Sequence, residues 1–135
     1  MTERGSAPLE LALGLGLLVL PALVVVMSFA PWLEARAFVH AAAAEGARSA
    51  VLASNDPTAA GVETVEEMAA GRGLDPSVVG VTMCGGVGCA LVRGGYVTVE
   101  VSVDIPLVAT PWGDVGGLTV NAAHSEPVDI YRSLP

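Results

Sequence analysis

The chain predicts an α+β fold: a long N-terminal transmembrane and stalk α-helix packed on a small antiparallel β-sheet, with one further short helix. Three observations predict it. An uncharged apolar run extends from Leu11 to Leu33, an alanine-rich stretch follows from Glu34 to Ser54, and hydrophobic and polar residues alternate strictly from Tyr96 to Ile105. Of the 135 residues, about a hundred lie outside the apolar run, enough for one small domain and not two.

The apolar run is read as helix first. At about 1.5 Å rise per residue it reaches roughly 35 Å, against a hydrocarbon thickness of about 30 Å. Pro8 falls in the first turn, where a missing N–H costs little, whereas Pro21 and Pro31 lie inside the pattern and are expected to loosen the helix locally without ending it. The segment from Glu34 to Ser54 continues the helix as a stalk, because alanine has the strongest helix propensity. Within it Ala42, Gly46 and Ala50 recur at four-residue spacing, a narrow face that lets another element come close.

Asn55-Asp56-Pro57-Thr58 breaks the stalk. The residue before a proline avoids helical dihedrals, and Asp56 can cap a second helix with Pro57 at its first position. That helix is expected from Pro57 to about Ala70, its Glu63, Glu66 and Glu67 forming a solvated face and Gly71-Arg72-Gly73 ending it.

The remainder reads as β. Ser77 to Cys84 is a strand candidate, CGGVGC a tight turn, and Ala90 to Arg93 a second short strand before Gly94-Gly95. Val97, Val99, Val101, Val103 and Ile105 then share one face, with Thr98, Glu100, Ser102 and Asp104 on the other, the pattern of a half-buried antiparallel strand. Pro106 to Gly117, with Trp112, is expected as a loop. Leu118 to Ser125 and Val128 to Tyr131 supply the last strand material, with Pro127 marking a break or an edge. The valine face needs a cover, and the alanine-rich helix supplies one.

Composition narrows the functional classes. Acidic residues outnumber basic ones 14 to 6 and every basic residue is arginine, so there is no basic patch for phosphate and no nucleic-acid partner is expected. Arg4 is offset by Glu3, and Glu34, Arg36 and Arg48 follow the run, so charge alone does not orient the helix. Cys84 and Cys89 enclose four residues, three of them glycine. A disulfide across that turn is sterically feasible and would suit an oxidising compartment, with free thiols the alternative; a lone C-x4-C with no partnering histidine is weak evidence for a metal. Neither His40 nor His124 has a relay partner at a telling spacing, and no nucleophile elbow, phosphate loop, zinc motif or dinucleotide fingerprint occurs. No catalytic residue, cofactor or metal ligand is therefore assigned. Trp32 at the far end of the run fits an interfacial anchor.

Glu10 stands apart. A carboxylate at the lip of an apolar helix is costly unless solvated, protonated or paired. A glycine ending a short polar leader (Gly5), a glutamate five residues later (Glu10) and an immediate hydrophobic helix resemble the processing signal of type IV prepilins. The stretch AAAAEGARSAV from Ala41 to Val51, with Arg36 ahead of it, resembles the TadE/TadG-like pseudopilins of the tight-adherence pilus system. The resemblance covers about Arg4 to Ala53 well and the remainder loosely.

The resemblance implies a leader over residues 1–5, cleavage between Gly5 and Ser6 by a prepilin peptidase, a membrane-spanning and stalk helix over 6–54, and an extracytoplasmic α+β domain over 55–135. It implies a structural role as a minor pilin or pseudopilin of a Tad-type pilus. Its partners would be other pilin and pseudopilin subunits, the Tad inner-membrane assembly machinery and membrane lipid. The protein would sit as a single-pass subunit in the cell membrane, its short N-terminus cytoplasmic, and could join a surface filament. Once cleaved, the α-amino group of Ser6 would be a cation able to neutralise Glu10 of the same or a neighbouring subunit. Two other classes stay open: an unprocessed, single-pass, membrane-anchored accessory or binding domain, and a secreted domain cut near the alanine run by signal peptidase.

Overall fold

The computed structural model describes the backbone of residues 7–86, 89–110 and 113–132, and the side chains there except at 7–9, 24, 27, 28, 107–110 and 113–115. Gly5, Ser6 and Trp112 lie outside the described residues. The elements run α1 (Ala7–Leu52), α2 (Pro57–Ala70), β1 (Val79–Met83), β2 (Tyr96–Thr110) and β3 (Gly113–Pro127), with short 3-10 turns at Pro76–Val78 and Cys84–Gly86. The three strands form one antiparallel sheet in the order β1-β2-β3.

Helix α1 passes through Pro21 and Pro31 without a break. The transmembrane part of the expected fold is corrected. Among the described residues, no helix is long and apolar enough to cross a membrane. Beyond Leu33 the helix becomes charged and alanine-rich, and it is occupied by the domain's own core.

That core lies between the second half of α1, helix α2 and the inner face of the sheet. Val97, Val99, Val101 and Val103 of β2 are buried, and Ala42, Ala43, Ala47 and Ala50 of α1 are buried against them, flanked by Phe38 and Val39. Alanine on the helix and valine on the strand are complementary volumes: small residues bring the helix axis close, and the β-branched face fills the space. Val120 and Ala122 extend the same face on β3, opposite Val103 and Val101. Helix α2 closes the side with Val65 and Ala69; Asp56 Oδ1 accepts the Ala59 N–H at 3.0 Å and Pro57 occupies the first turn. Such a cap satisfies a donor that the helix leaves free.

The β region departs from expectation in three places. Ala90 to Arg93 is not a strand, and Val128 to Tyr131 forms a turn tied back by Gly94 N–H to Val128 O (3.0 Å) and Val128 N–H to Gly95 O (2.8 Å). The stretch read as a loop, Pro106 to Gly117, is instead the far half of a long hairpin, with Pro106 paired to Gly117, Val108 to Val115 and Thr110 to Gly113. The physical reason is the length of β1, which pairs β2 only from Val99 to Val103. Past Val103, β2 has a neighbour on one side alone, and an open edge tolerates the missing N–H of a proline. Gly116, at φ 70°, adopts the left-handed conformation that glycine reaches without penalty.

Candidate assembly surface

Strand β2 runs antiparallel to the packed half of α1. Val99 lies beside Gly46, whereas Val103 and Ile105 line a cleft with Pro31, Ala35 and Phe38. Leu118 and Val120 of the returning strand sit beside Trp32, Arg36 and His40. Among the described side chains the sheet therefore reaches the middle of α1 at about Pro31 to Trp32, and none of these covers the helix before that point.

Along this uncovered half the apolar side chains are exposed on every side, from 45% at Val19 to 77% at Leu17, including Leu11, Leu13, Leu15, Leu18, Leu20, Val25, Val26 and Phe29. An amphipathic helix buries one stripe; this one presents leucine and valine all round. A contiguous apolar surface of this kind marks a place where something else packs. Glu10 lies in the first turn of α1, exposed, where the helix dipole favours a negative charge. The described ion pairs, Arg48–Glu45 at 3.7 Å and His124–Glu126 at 3.2 Å, lie on the head and the packed stalk and leave Glu10 out.

The junction between exposed rod and head is marked by aromatics. Phe29 and Trp32 pack edge to face at 6.5 Å between centroids, and the Arg36 guanidinium lies 5.4 Å from the Trp32 ring centre. On the other side Arg72 stands 5.2 Å over the buried Phe38 ring. Cation–aromatic contacts of this kind orient both groups.

Cys84 and Cys89 are joined in a disulfide, their Cα atoms 5.5 Å apart. Cys84, Gly85 and Gly86 all have positive φ, and two of the three are glycine, which makes the reversal feasible. The Cys89 N–H donates to Thr58 Oγ1 at 3.1 Å, tying the bridged loop to the start of α2. At the turn into β1, the Ser77 backbone N–H donates to Asp75 Oδ1 at 2.8 Å and, with the Ser77 side chain, holds that carboxyl below its ordinary range.

His40 and His124 are both exposed, His124 beside Glu126. Among the described residues no group of three or more His, Cys, Asp or Glu could hold a metal ion. The small-residue face of α1 meets a partner that sequence spacing alone did not identify, Gly61 of α2. The anchoring of the C-terminal turn, where Arg132 donates to the Ala53 carbonyl and accepts from Arg93 Nε through its own, likewise leaves no pattern in the sequence. Comparison with known protein families, with curated proteins and with solved structures finds no match to this chain.

Proposed function

We propose that this chain is a structural subunit, a TadE-like minor pilin or pseudopilin of a Tad-type pilus, processed by a prepilin peptidase between Gly5 and Ser6. The observation that carries the reading is the division of one helix into two halves. From Ala35 to Val51 one face of it is buried in its own head; before Leu33 its described apolar side chains are exposed, with one carboxylate, Glu10, near its start.

A rod of this kind is stable only under an apolar cover. In a filament the corresponding rods of neighbouring subunits supply it. In a bundle of rods an unpaired carboxylate costs several kcal/mol, so Glu10 acts on register: a subunit seats where its acid meets the α-amino group of a Ser6. The head stays outside the cytoplasm, where the Cys84–Cys89 bridge is stable. The role is mechanical rather than enzymatic, and its partners are the peptidase, other pilin subunits and the assembly machinery.

Shearing filaments from cells that express the chain tests this reading. The wild-type chain is expected in the sheared filament fraction, and a Gly5→Arg variant is expected to remain with the cells. A chain absent from filaments, with Gly5→Arg changing nothing, would overturn it.

A further inference from the structure

Among the described residues the sheet turns a strand edge outward in three places, and two of them are guarded. β1 is five residues long and lies between the Pro76–Val78 and Cys84–Gly86 turns, so its outer edge is short. β2, past the end of β1, carries Asp104 and Pro106, a charge and a missing donor. β3 has no such guard. It is the last strand of the sheet, its ladder with β2 runs without a bulge from Pro127 to Gly117, and from Gly116 to Ser125 it holds no proline and no Asp, Glu, Lys or Arg. Among the described residues, the backbone hydrogen bonds outside the ladder reach none of Leu118 to Glu126. An edge of this kind is a template for another strand.

The groove beside this edge indicates the partner. Trp32, Arg36 and His40 recur at four-residue spacing, one stripe of α1, and meet Leu118 to Asn121 across a groove of about 220 Å³. Arg36 rests on the Trp32 ring, and neither it nor His40 takes part in the described ion pairs. The groove therefore suits a carboxylate. On β3 itself the charge-free stretch ends at Glu126, whose Oε2 lies 3.2 Å from His124 Nε2 and leaves Oε1 for a further donor.

We infer that β3 pairs antiparallel with β3 of a second copy of this chain, about a two-fold axis at Ala122. Residues opposite each other then share a face of the sheet. Leu118 stands opposite Glu126 of the second copy, Val120 opposite His124, and Ala122 opposite its own counterpart. Each Glu126 thereby enters the groove of Arg36 and His40 on the other copy, and symmetry makes the contact twice. The pairing covers Leu118 to Glu126 on both copies and leaves Pro127, which has no N–H to give, beyond it. Because β3 runs in the direction of α1, the two rods leave the joined sheet in opposite directions. Such a pair cannot enter a filament whose rods align one way, so it is a reserve form of the subunit. The inference stands on the edge and its groove and does not depend on the proposed filament.

Sedimentation equilibrium of the full chain in a density-matched non-ionic detergent tests it. The wild-type chain is expected to dimerise. Arg36→Glu and Glu126→Arg are each expected to weaken the dimer roughly tenfold or more, because each sets like charges together, and the double variant is expected to regain most of the loss. Circular dichroism confirms the fold of each variant. As a second measurement, copies carrying Asn121→Cys mixed with copies carrying Ala123→Cys are expected to form a disulfide-linked pair on mild oxidation, since these exposed positions lie opposite each other in this register. A chain that stays monomeric, a dimer indifferent to both charge reversals, or failure of that cross-link would overturn the inference. A dimer lost with Leu17→Asp but unmoved by Arg36→Glu would assign the contact to the rods and overturn it as well.

Discussion

Gly46 of α1 and Gly61 of α2 face each other where the two helices cross. A Cβ placed on Gly61 would lie 3.1 Å from the Gly46 carbonyl oxygen and 2.6 Å from Met83 Cε; one placed on Gly46 would lie 2.9 Å from Val65 Cγ2 and 3.3 Å from the Gly61 carbonyl oxygen. Each glycine leaves the space that the other's backbone occupies, and this close approach lets α2 seal the side of the core.

Gly46→Val is therefore expected to lower the unfolding free energy of the head by roughly 1–3 kcal/mol, the usual scale of overpacking, because Val65 is β-branched and buried and cannot swing away. Gly14→Ala, in open space on the rod, is expected to leave the head's denaturant midpoint unchanged. Urea unfolding followed by circular dichroism compares the two.

The division of α1 makes a second contrast. Phe38 is 1% exposed and stacked under Arg72, so Phe38→Ala is expected to cost about 3 kcal/mol or more. Leu17, at 77% exposure, contributes nothing to the head, and Leu17→Ala is expected to stay within about 0.5 kcal/mol in the same measurement. Equal losses from the two would contradict the partition of the helix.

Reduction of the Cys84–Cys89 bridge is expected to cost about 2 kcal/mol, the chain-entropy scale for so short a loop. It should also speed hydrogen exchange at the Cys89 amide, which the loop holds against Thr58. Urea titration with and without reductant gives the first quantity, and amide exchange by NMR the second.

Asp75 supplies a pH dependence. Its carboxyl is held below the ordinary range chiefly by the Ser77 backbone N–H. A group whose folded pKa is depressed favours the folded state above its unfolded pKa, and that contribution fades as pH falls through the folded one. A carboxyl-carbon NMR titration is expected to place the Asp75 midpoint below the usual aspartate value of 3.8. An Asp75 midpoint at or above that value would contradict the Ser77 contact.

Parts of this architecture are legible in the residues themselves. The valine alternation from Val97 to Val103 coincides with complete burial, and the alanine stretch coincides with the helix face that covers it, because both follow from periodicity and volume. The Asp56-Pro57 helix start is legible for the same kind of reason: local chemistry determines it. The hairpin past Val103 was hidden because Pro106 and Gly117 ordinarily punctuate strands, and only the short reach of β1 makes a proline acceptable there. The Gly46–Gly61 contact needs two helices in place before either glycine has a meaning. The apolar run has the uncharged length of a membrane span, yet among the described residues no helix is long and apolar enough to cross a membrane. What does carry over is the exposure of its leucines and valines and the place of Glu10 at its start.

The most direct measurement of the central claim is the intact mass of the chain isolated from cells with and without an active prepilin peptidase. With the peptidase the account predicts a polypeptide beginning at Ser6, and without it one that retains residues 1–5. A chain that keeps Gly5 in the presence of the active enzyme would contradict it.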